Sequence, residues 1–432
     1  MNVRVIGLWH MGTVVSACLA SVGHDVVGLD HDAGLIGRLL EGRPPVYEPG
    51  LDTLLREGLS TGRLAFTSNE NDVLDASEVV WITFDTPLDE DDHADVEYVE
   101  DRVKRLFPQI PNGGLVLISS QVPVGTTRHL EELYQSEYPA NRVSFAYAPE
   151  NLRLGNAIAS FKQPDRVVIG LRTQDDRGRI TSLFRPFADR IEWMSVESAE
   201  MTKHALNAFL AASVSFINEL AVLCEQVGAD AKEVERGLKS EHRIGPEAYL
   251  SPGAAFAGGT LARDVDFLIQ LGSRYGKPMH LISGIRTSND EHKKWIRNKL
   301  QQILGALEDQ CIALWGLTYK PGTDTLRRSS AIELCAWLSR KGATVQAYDP
   351  GVKSLPSELS QLIGLHPSAE DALSGASCLV VGTAWPEFSS IGAETVSSKM
   401  RAPNVVDPFR ILETSLGADP RIHYFTVGKP GS

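Results

Sequence analysis

The sequence predicts an α/β protein with two doubly wound, mostly parallel sheets on either side of a helical middle region. Three observations support this prediction. Short runs rich in Val, Ile, Leu and Phe alternate with helical segments from residue 3 to 169, helical periodicity replaces them from 196 to about 306, and the alternation resumes at 312. Uninterrupted apolar runs of this kind are typical of strands buried on both faces of a parallel sheet.

The first domain is predicted to cover residues 1–195. It opens with a βαβ unit, because residues 3–8 and 25–30 have the pattern of buried strands and residues 12–22 that of a connecting helix. Further strands of this domain are predicted at 78–84, 114–119, 142–146 and 166–169.

The helical middle region is predicted to cover residues 196–305. Apolar residues recur every three or four positions from 196 to 227, which indicates one long helix or two helices broken near Ser213. Further helical stretches are predicted at about 230–240 and about 263–306.

The second α/β domain is predicted to cover residues 306–432. Its strands are expected at 312–317, 344–349, 379–382 and 404–407, with a helix at 331–341. A chain of 432 residues is too long for one ordinary core, which agrees with two or three packed units.

The composition restricts the partners of the protein. A formal net charge of -13 argues against broad binding to nucleic acid or to anionic membranes, so an anionic ligand would need a local basic pocket. No stretch reaches about 18 uninterrupted apolar residues and no secretion signal is apparent, so we expect neither membrane spanning nor secretion. The five cysteines form no CxxC pair and no metal-ligand spacing, which predicts a reduced, cytoplasmic protein without a metal site.

The turn after the first predicted strand has most of a dinucleotide-binding pattern. In G-x-G-x-x-G the middle glycine lets the backbone approach a pyrophosphate at the helix N-terminus. Here Gly7 and Gly12 are present, Met11 precedes the last glycine, and Trp9 occupies the middle position. Trp9 either moves the pyrophosphate outward or indicates that dinucleotide binding has been lost. Asp30 can bond ribose hydroxyls and disfavours a 2′-phosphate, so NAD is expected rather than NADP; an ordinary βαβ turn is the alternative.

Two polar residues share one face of the predicted long helix. Lys203 and Asn207 are four positions apart, so their side chains can converge on one oxygen atom. A cation and an amide donor in that arrangement suit a developing alkoxide or oxyanion. The alternative is a solvated Lys203 and an Asn207 that only bends the helix.

Five further segments of the chain form a distinctive set. They are Pro45-Val46-Tyr47-Glu48-Pro49-Gly50-Leu51, Val122-Pro123-Val124-Gly125-Thr126-Thr127, Ala148-Pro149-Glu150-Asn151-Leu152-Arg153, Leu317-Thr318-Tyr319-Lys320-Pro321-Gly322-Thr323-Asp324 and the helical stretch 199–230. With these segments the chain resembles the UDP-glucose and GDP-mannose dehydrogenase family, in family order, from about residue 3 to about residue 427. The resemblance implies two Rossmann-like doubly wound domains joined by a long central helix, and NAD-dependent oxidation of a nucleotide sugar.

The resemblance also implies roles for individual residues. Glu150 would lie beside the sugar, Arg243 would reach the substrate across a dimer interface, and Lys320 would approach the sugar nucleotide from the C-terminal domain. Arg327 would lie near the cofactor and make that site an interdomain one. The other implied cofactor residues are Thr86, Gln121 and Arg263, and the implied substrate loop is Tyr249, Leu250, Ser251, Pro252 and Gly253.

The chain departs from the family at the catalytic nucleophile. The family segment G-G-S-C-F-P-K-D corresponds to the region of residues 258–264, and an alignment anchored on Asp264 puts Thr260 at the cysteine position. An alignment with a one-residue gap would put no nucleophile there. No cysteine lies within thirty residues on either side. A threonine hydroxyl is a poor substitute for a thiolate near neutral pH. Thr260 could instead be only the N-cap of a helix that begins near Leu261. Asp264 is a candidate base or water-orienting group, with stabilisation of the first helical turn as the alternative.

Other neighbours of the expected site have also changed. Gln121 replaces a threonine of the family, Asp85 replaces a glycine, and Leu154 replaces an acidic residue. Together with Thr260, these changes indicate a divergent subgroup.

Three functional hypotheses follow. In the first, the protein is an NAD-dependent oxidoreductase that oxidises the C6 alcohol of a UDP-linked hexose with Lys203, Asn207 and Asp264, and stops at a two-electron product or finishes slowly through water. In the second, it binds nucleotide sugars as a sensor or partner of an active homologue and has lost redox chemistry. In the third, it is a non-redox enzyme with a tightly held cofactor. A homodimer formed through the long helix is expected in each case.

Overall fold

A computed structural model describes residues 1–69, 74, 77–87, 89, 94–150, 152–257 and 259–431. Asn151 and Gly258, which belong to two of the motifs quoted above, lie outside these residues. The chain divides into two compact units, residues 1–206 and 207–432. Each unit is described by itself, and the predicted division into three domains at 195 and 305 stays a prediction.

The first unit contains a doubly wound sheet. Within its described residues the strand order is β3-β2-β1-β4-β5-β6-β7-β8, and all pairs are parallel except β6 with β7. The chain reverses its winding direction between β1 and β4, where ligands of such sheets bind at the carboxyl ends of the strands. The strands are β1 (Asn2–Ile6), β2 (Asp25–Leu29), β3 (Leu64–Thr67), β4 (Val79–Ile82), β5 (Leu115–Ile118), β6 (Ser144–Tyr147), β7 (Val167–Gly170) and β8 (Ile191–Met194).

Helices cover both faces of this sheet. Because successive side chains of a strand point to opposite faces, Val79 and Trp81 pack into one hydrophobic core, and Val80 and Ile82 pack into the other. The helices are α1 (His10–Ser21), α2 (Ala33–Leu40), α3 (Leu51–Ser60), α4 (Val96–Leu106), α5 (Thr126–Glu137), α6 (Ala157–Lys162) and α7 (Arg177–Phe184), with a 3-10 turn at Phe107–Gln109.

The second unit repeats the same winding with parallel strands in the order β11-β10-β9-β12-β13-β14. The two sheets confirm the predicted pair of Rossmann-like domains. The strands are β9 (Cys311–Trp315), β10 (Thr344–Tyr348), β11 (Ile363–Leu365), β12 (Cys378–Val381), β13 (Asn404–Val406) and β14 (His423–Phe425).

Helices dominate the chain between the two sheets. The long helix α8 (Val196–Val227) is continuous, so the alternative of a break near Ser213 is wrong. The single stretch predicted at about 263–306 is three helices, because Gly276 with its φ of +63° and the turn at 293–294 interrupt it. The other helices before β9 are α9 (Ala231–Ser240), α10 (Thr260–Arg274), α11 (His280–His292) and α12 (Trp295–Leu304). The helices that follow strands of the second sheet are α13 (Ser330–Arg340), α14 (Ser357–Ser360), α15 (Ala369–Ala372), α16 (Ala393–Lys399) and α17 (Glu413–Leu416), with a 3-10 turn at Pro386–Ser390.

Helix α8 has one buried and one exposed apolar face. Its small residues Ala208, Ala211 and Ala221 are buried, whereas Phe209 and Phe216 are 72% and 51% exposed. By length and composition alone α8 is apolar enough to cross a membrane, with a mean hydropathy of 1.6 in an 18-residue window of which 39% is buried. A core helix of a soluble protein passes the same test, so this property does not by itself indicate a membrane span.

Candidate functional site

The turn between β1 and α1 requires both of its glycines. Gly7 has a φ of +93°, and a Cβ atom there would lie 2.6 Å from a ring carbon of Phe84. A Cβ atom on Gly12 would lie 1.9 Å from the carbonyl oxygen of Gly7. Any side chain at either position would therefore open the tight connection between strand and helix.

Asp30 connects the end of β2 to this turn. Its Oδ2 accepts a hydrogen bond from the backbone N–H of Leu8 at 2.8 Å, and its Oδ1 accepts one from that of Asp32 at 3.0 Å. The carboxylate therefore lies beside the glycine turn, where the sequence predicts contact with a ribose.

Trp9 is the N-cap residue of α1 and is 43% exposed. Its side chain makes no capping hydrogen bond. Met11, in the first turn of the same helix, is half-buried. The N-terminus of α1, with its partial positive charge, therefore lies next to an exposed indole rather than next to a capping oxygen.

Sequence reasoning missed the role of Glu48 in the segment 45–51. This carboxylate is only 2% exposed and accepts hydrogen bonds from the backbone N–H groups of Gly155 at 2.8 Å and Ala157 at 2.7 Å. It also contacts Nε2 of His10 at 3.0 Å. Glu48 thus ties the first residue of α1 to the loop before α6, a contact between distant parts of the sequence that no local pattern reveals.

The start of α8 contacts the loops that follow β5 and β6. Lys203 is 6% exposed and its Nζ donates to the backbone carbonyl of Glu150, which is half-buried. The structure therefore brings together these two predicted catalytic residues. The alternative of a solvated Lys203 is wrong, because the side chain is buried and bonded.

Two neighbours of Lys203 on α8 were not predicted. Glu200, fully buried, accepts from the backbone N–H groups of Gly125 at 2.6 Å and Thr127 at 3.0 Å. His204 makes a 3.0 Å hydrogen bond to the carbonyl of Val122. Glu200 lies three positions before Lys203 and four before His204, and this spacing was the available signal, since positions three and four apart share a helix face.

Two predicted cofactor residues meet at the carboxyl ends of β4 and β5. The hydroxyl of Thr86, a residue 2% exposed, donates to the backbone carbonyl of Gln121 at 2.7 Å. Asp85, next to Thr86, is exposed.

In the second unit, Asn207 and Asp264 form a buried pair. They are 5% and 0% exposed, and Nδ2 of Asn207 donates to Oδ2 of Asp264. The carboxylate therefore bonds to α8 and does not merely stabilise the first turn of its own helix. A buried carboxylate with an amide donor can accept a proton from a ligand hydroxyl or a water.

Thr260 is the first residue of α10 and is exposed. The N-cap is Gly259, with a φ of +109°, so the interpretation of Thr260 as an N-cap is wrong. The helix begins one residue earlier than expected because a glycine can adopt the required backbone conformation. Thr260 is thus an exposed residue at a helix N-terminus.

The predicted substrate loop is partly buried. Leu250 and Pro252 are buried, whereas Tyr249 is 59% exposed. The hydroxyl of Ser251 donates to Oε1 of Glu235 at 2.8 Å. The backbone N–H and carbonyl of Gly253 are already bonded, and the exposed residues of the loop are Tyr249 and Ser251.

The predicted basic residues of the second unit differ in exposure. The side chain of Arg243 is 80% exposed, with Nε 3.1 Å from Oε1 of Glu241, and Arg327 is exposed. Arg263 is 8% exposed. Lys320 is half-buried, and its backbone carbonyl accepts from the hydroxyl of Thr323 at 2.8 Å.

Tyr319, next to Lys320, connects this motif to the substrate loop and α10. Desolvation raises the pKa of Tyr319, the charge of Arg263 opposes that shift, and Tyr249 adds to it. Tyr249 of the substrate loop and Arg263 of α10 therefore lie close enough to Tyr319 to affect its ionisation.

The cysteines of the chain offer no alternative thiolate. Burial raises the pKa of Cys18 and that of Cys335 to about 12, and it also raises the pKa of Cys311 and of Cys378. Cys224 is buried, 36 positions before Thr260. Among the described residues, no group of three or more His, Cys, Asp and Glu is arranged to hold a metal ion.

The buried His292 makes the stability of the folded protein depend on pH. Burial lowers the pKa of His292, although the carbonyl of Gly253 and the charge of Glu225 act in the opposite direction. Below about pH 6.5 the unfolded chain takes up a proton that the folded protein does not, so stability falls as the pH falls.

We expect His292→Gln to reduce the loss of unfolding free energy between about pH 7.5 and about pH 5.5 by up to about 1 kcal/mol. Burial also lowers the pKa of His24. The wild type and the variant both contain His24, so its contribution to the pH dependence of stability cancels in the comparison. Urea denaturation at the two pH values measures the difference. An identical pH dependence in the two proteins would contradict the assignment.

The sequence matches three models of the UDP-glucose/GDP-mannose dehydrogenase family in family order: the NAD binding domain over residues 1–188, the central domain over 197–291 and the UDP binding domain over 313–414. These matches confirm the predicted family and the predicted NAD cofactor.

Full-length relatives support the same family assignment. The chain is 35% identical to UDP-glucose 6-dehydrogenase of Rhizobium meliloti over 437 residues, with 100% of each chain covered. It is 34% identical to the Pseudomonas aeruginosa enzyme of the same name, covering 100% of this chain and 98% of the relative.

Solved structures show the same fold over the whole chain. A UDP-glucose dehydrogenase from Pyrobaculum islandicum superposes with a TM-score of 0.88 at 29% identity, covering 99% of this chain and 98% of the other. A UDP-D-ManNAc dehydrogenase from Pyrococcus horikoshii gives a TM-score of 0.88 at 28% identity, with 99% of each chain covered. The fold, the three domain matches and the full-length relatives lead to one conclusion: the chain belongs to the UDP-glucose/GDP-mannose dehydrogenase family, the NAD-dependent nucleotide-sugar dehydrogenases.

Proposed function

We propose that this protein oxidises the C6 alcohol of a UDP-linked hexose such as UDP-glucose, with NAD as the electron acceptor, and releases mainly the two-electron product. The proposal rests on one observation: Thr260, an exposed residue of α10, occupies the family's cysteine position. The relatives named UDP-glucose 6-dehydrogenase support the substrate class.

The first unit has the features that NAD requires. The glycine turn allows close packing of α1 on β1, the N-terminus of α1 suits a pyrophosphate, and Asp30 suits a ribose diol. Trp9 is the one departure in that turn. When bound, NAD supplies the acceptor for the two electrons that leave the alcohol carbon.

We assign the proton chemistry of the alcohol to Lys203, Asn207 and Asp264. The buried carboxylate of Asp264, oriented by the Asn207 amide, would take the hydroxyl proton directly or through a water. The ammonium of Lys203 would stabilise the alkoxide that forms, as a buried cation does for developing negative charge. Each group is held by contacts within the protein before any ligand binds.

The second oxidation is the step that this chain is poorly equipped to perform. In a four-electron enzyme a thiolate adds to the aldehyde, and a threonine hydroxyl is far harder to deprotonate near neutral pH. Water must then add to the aldehyde carbon instead, with its proton passing to a base such as Asp264. We therefore propose a slow second step rather than an absent one.

Isothermal titration with NAD, with UDP-glucose and with each in the presence of the other, followed by absorbance of NADH, tests this proposal. About one NADH per sugar in the first turnovers is the expected result. Fast release of about two would contradict the two-electron product. Binding of the sugar nucleotide without any NADH would favour the alternative of a nucleotide-sugar sensor that has lost redox chemistry.

The exposed Trp9 offers a test of the cofactor site. We expect Trp9→Gly to tighten NAD binding by about tenfold, because glycine lets the backbone approach the pyrophosphate. Titration calorimetry measures the change, with UDP-glucose affinity as the control that should not move. Weaker NAD binding in the variant would instead mean that the indole itself contacts the cofactor.

We also propose that the protein is a homodimer formed through α8. Phe209, Phe216 and Leu223 are seven positions apart and are exposed by 72%, 51% and 59%, so they form an apolar stripe. The opposite face of the helix is already packed in the cores of the protein. A second copy of the same helix can cover such a self-complementary stripe about a two-fold axis.

An aspartate in the middle of this stripe should break the dimer. We expect Phe216→Asp to lower the mass measured by light scattering from twice the chain mass of 47.1 kDa to that mass. Burial of an unpaired carboxylate in an apolar interface is the physical reason. Leu281→Asp is the matched control, since Leu281 is 76% exposed on α11. Dissociation by both variants alike would argue against α8 as the interface.

A further inference from the structure

The segment from Gly253 to Phe256 is held by buried polar side chains. Three residues of α8 and α11 bond to its backbone: Asn218, Asn289 and His292, which are 1%, 2% and 9% exposed. The segment joins the predicted substrate loop to Gly259 and the start of α10. Its path therefore fixes the end of the predicted substrate loop, which it follows directly.

Asn218 and His292 bond to the first part of the segment. Oδ1 of Asn218 accepts from the backbone N–H of Gly253 at 3.0 Å, and its Nδ2 donates to the carbonyl of Ala254 at 3.3 Å. Nε2 of His292 lies 2.8 Å from the carbonyl of Gly253. Since a carbonyl only accepts, Nε2 must carry the hydrogen.

Asn289 bonds to both polar groups of one residue. Its Oδ1 accepts from the backbone N–H of Phe256 at 3.0 Å and its Nδ2 donates to the carbonyl of Phe256 at 2.9 Å. The amide thus takes the place that a neighbouring strand would have in a sheet. A two-point contact of this kind fixes orientation as well as distance.

Side-chain packing contributes little to the position of the first three residues of this segment. Gly253, Ala254 and Ala255 bury little apolar surface because their side chains are small or missing. Ala254, Ala255 and His292 also line a cavity of about 50 Å³. Phe256 also packs against the hydrophobic cluster formed by α8, α10 and α11. Hydrogen bonds therefore hold Gly253 and Ala254, and both hydrogen bonds and packing hold Phe256.

We propose that Asn218, Asn289 and His292 are positioning residues, which place the backbone of 253–256 so that the adjoining loop binds the sugar nucleotide. This proposal rests on the proposed function of the site. All three are buried, and their polar atoms bond to the backbone of the segment. They act through the segment whose backbone they hold, and their removal should weaken sugar binding and leave NAD binding unchanged.

The experiment compares Asn289→Ala with Asn298→Ala, which removes the same amide from an exposed position of α12. Hydrogen–deuterium exchange of the peptide that contains Phe256 reports the segment itself. Titration calorimetry gives the Kd values for UDP-glucose and for NAD separately, and steady-state kinetics gives kcat and KM. His292→Leu and His292→Gln form a second pair, because glutamine can still donate to the carbonyl of Gly253 and leucine cannot.

We expect faster exchange and an about tenfold higher Kd and KM for UDP-glucose in Asn289→Ala and His292→Leu, with the Kd for NAD within about twofold. Asn298→Ala and His292→Gln should resemble the wild type. Faster exchange with an unchanged Kd for UDP-glucose would overturn the proposal. A lower kcat at unchanged KM would also overturn it, because that result is expected when a smaller fraction of the protein is folded. If the proposed function itself were wrong, the wild type would not bind UDP-glucose, and this result distinguishes the two cases.

Discussion

Replacement of Thr260 by cysteine should convert the enzyme to a four-electron dehydrogenase, with the yield of NADH rising from about one to about two per UDP-glucose. The reason is geometric and chemical. Thr260 is exposed at the N-terminus of α10, where the partial positive charge of the helix lowers the pKa of a thiol and favours the thiolate. The thiolate can add to the aldehyde carbon and prepare the second oxidation.

The measurement is the amount of NADH formed from a limiting amount of sugar nucleotide before the slow second oxidation of the wild type proceeds, together with analysis of the product as aldehyde or acid. Two controls separate position from chemistry. Thr260→Ser keeps a hydroxyl and should behave as the wild type, and Thr287→Cys puts a thiol on an exposed position of α11. If Thr260→Cys gives the wild-type yield, residue 260 does not lie at the reacting carbon and the explanation of the two-electron product is wrong.

The central strands could be predicted from the sequence, whereas the edge strands could not. All four strands that sequence reasoning missed, β3, β8, β11 and β14, lie at the edges of the two sheets. β4, β5 and β12 are buried at every position and therefore read as continuous apolar runs. At the edges, β8 is only half-buried and β14 alternates between exposed and buried residues, so neither has that pattern.

The candidate site divides in the same way. The glycine turn, the place of Asp30 beside it and the position of Lys203 and Asn207 on one long helix could be predicted, because each depends on spacing within one element or on adjacent elements. Whether Lys203 and Asn207 converge on one oxygen stays a prediction. Glu48 and Asn289 could not, since their partners lie more than thirty residues away in sequence. The N-cap of α10 was misassigned because Thr is the better capping residue, while the backbone there needs the left-handed range of φ that Gly259 supplies.

Asp264→Asn should lower kcat by about 10²- to 10⁴-fold, because an amide cannot take the proton that leaves the alcohol. The fold should survive although Asp264 is fully buried, because asparagine has nearly the same shape and its carbonyl can still accept from Nδ2 of Asn207. The Kd values for NAD and UDP-glucose should therefore change by less than about threefold while turnover falls.

The matched control is Asp266→Asn, which makes the same change two residues further along α10, where the carboxylate bonds to Arg286 at 3.2 Å. It should keep wild-type turnover. Because Asn207 orients Asp264, we also expect Asn207→Ala to cost little further activity once Asp264 is replaced, whereas alone it should lower kcat. Additive losses in the double variant would mean that the two residues act independently, and full activity of Asp264→Asn would show that another group takes the proton.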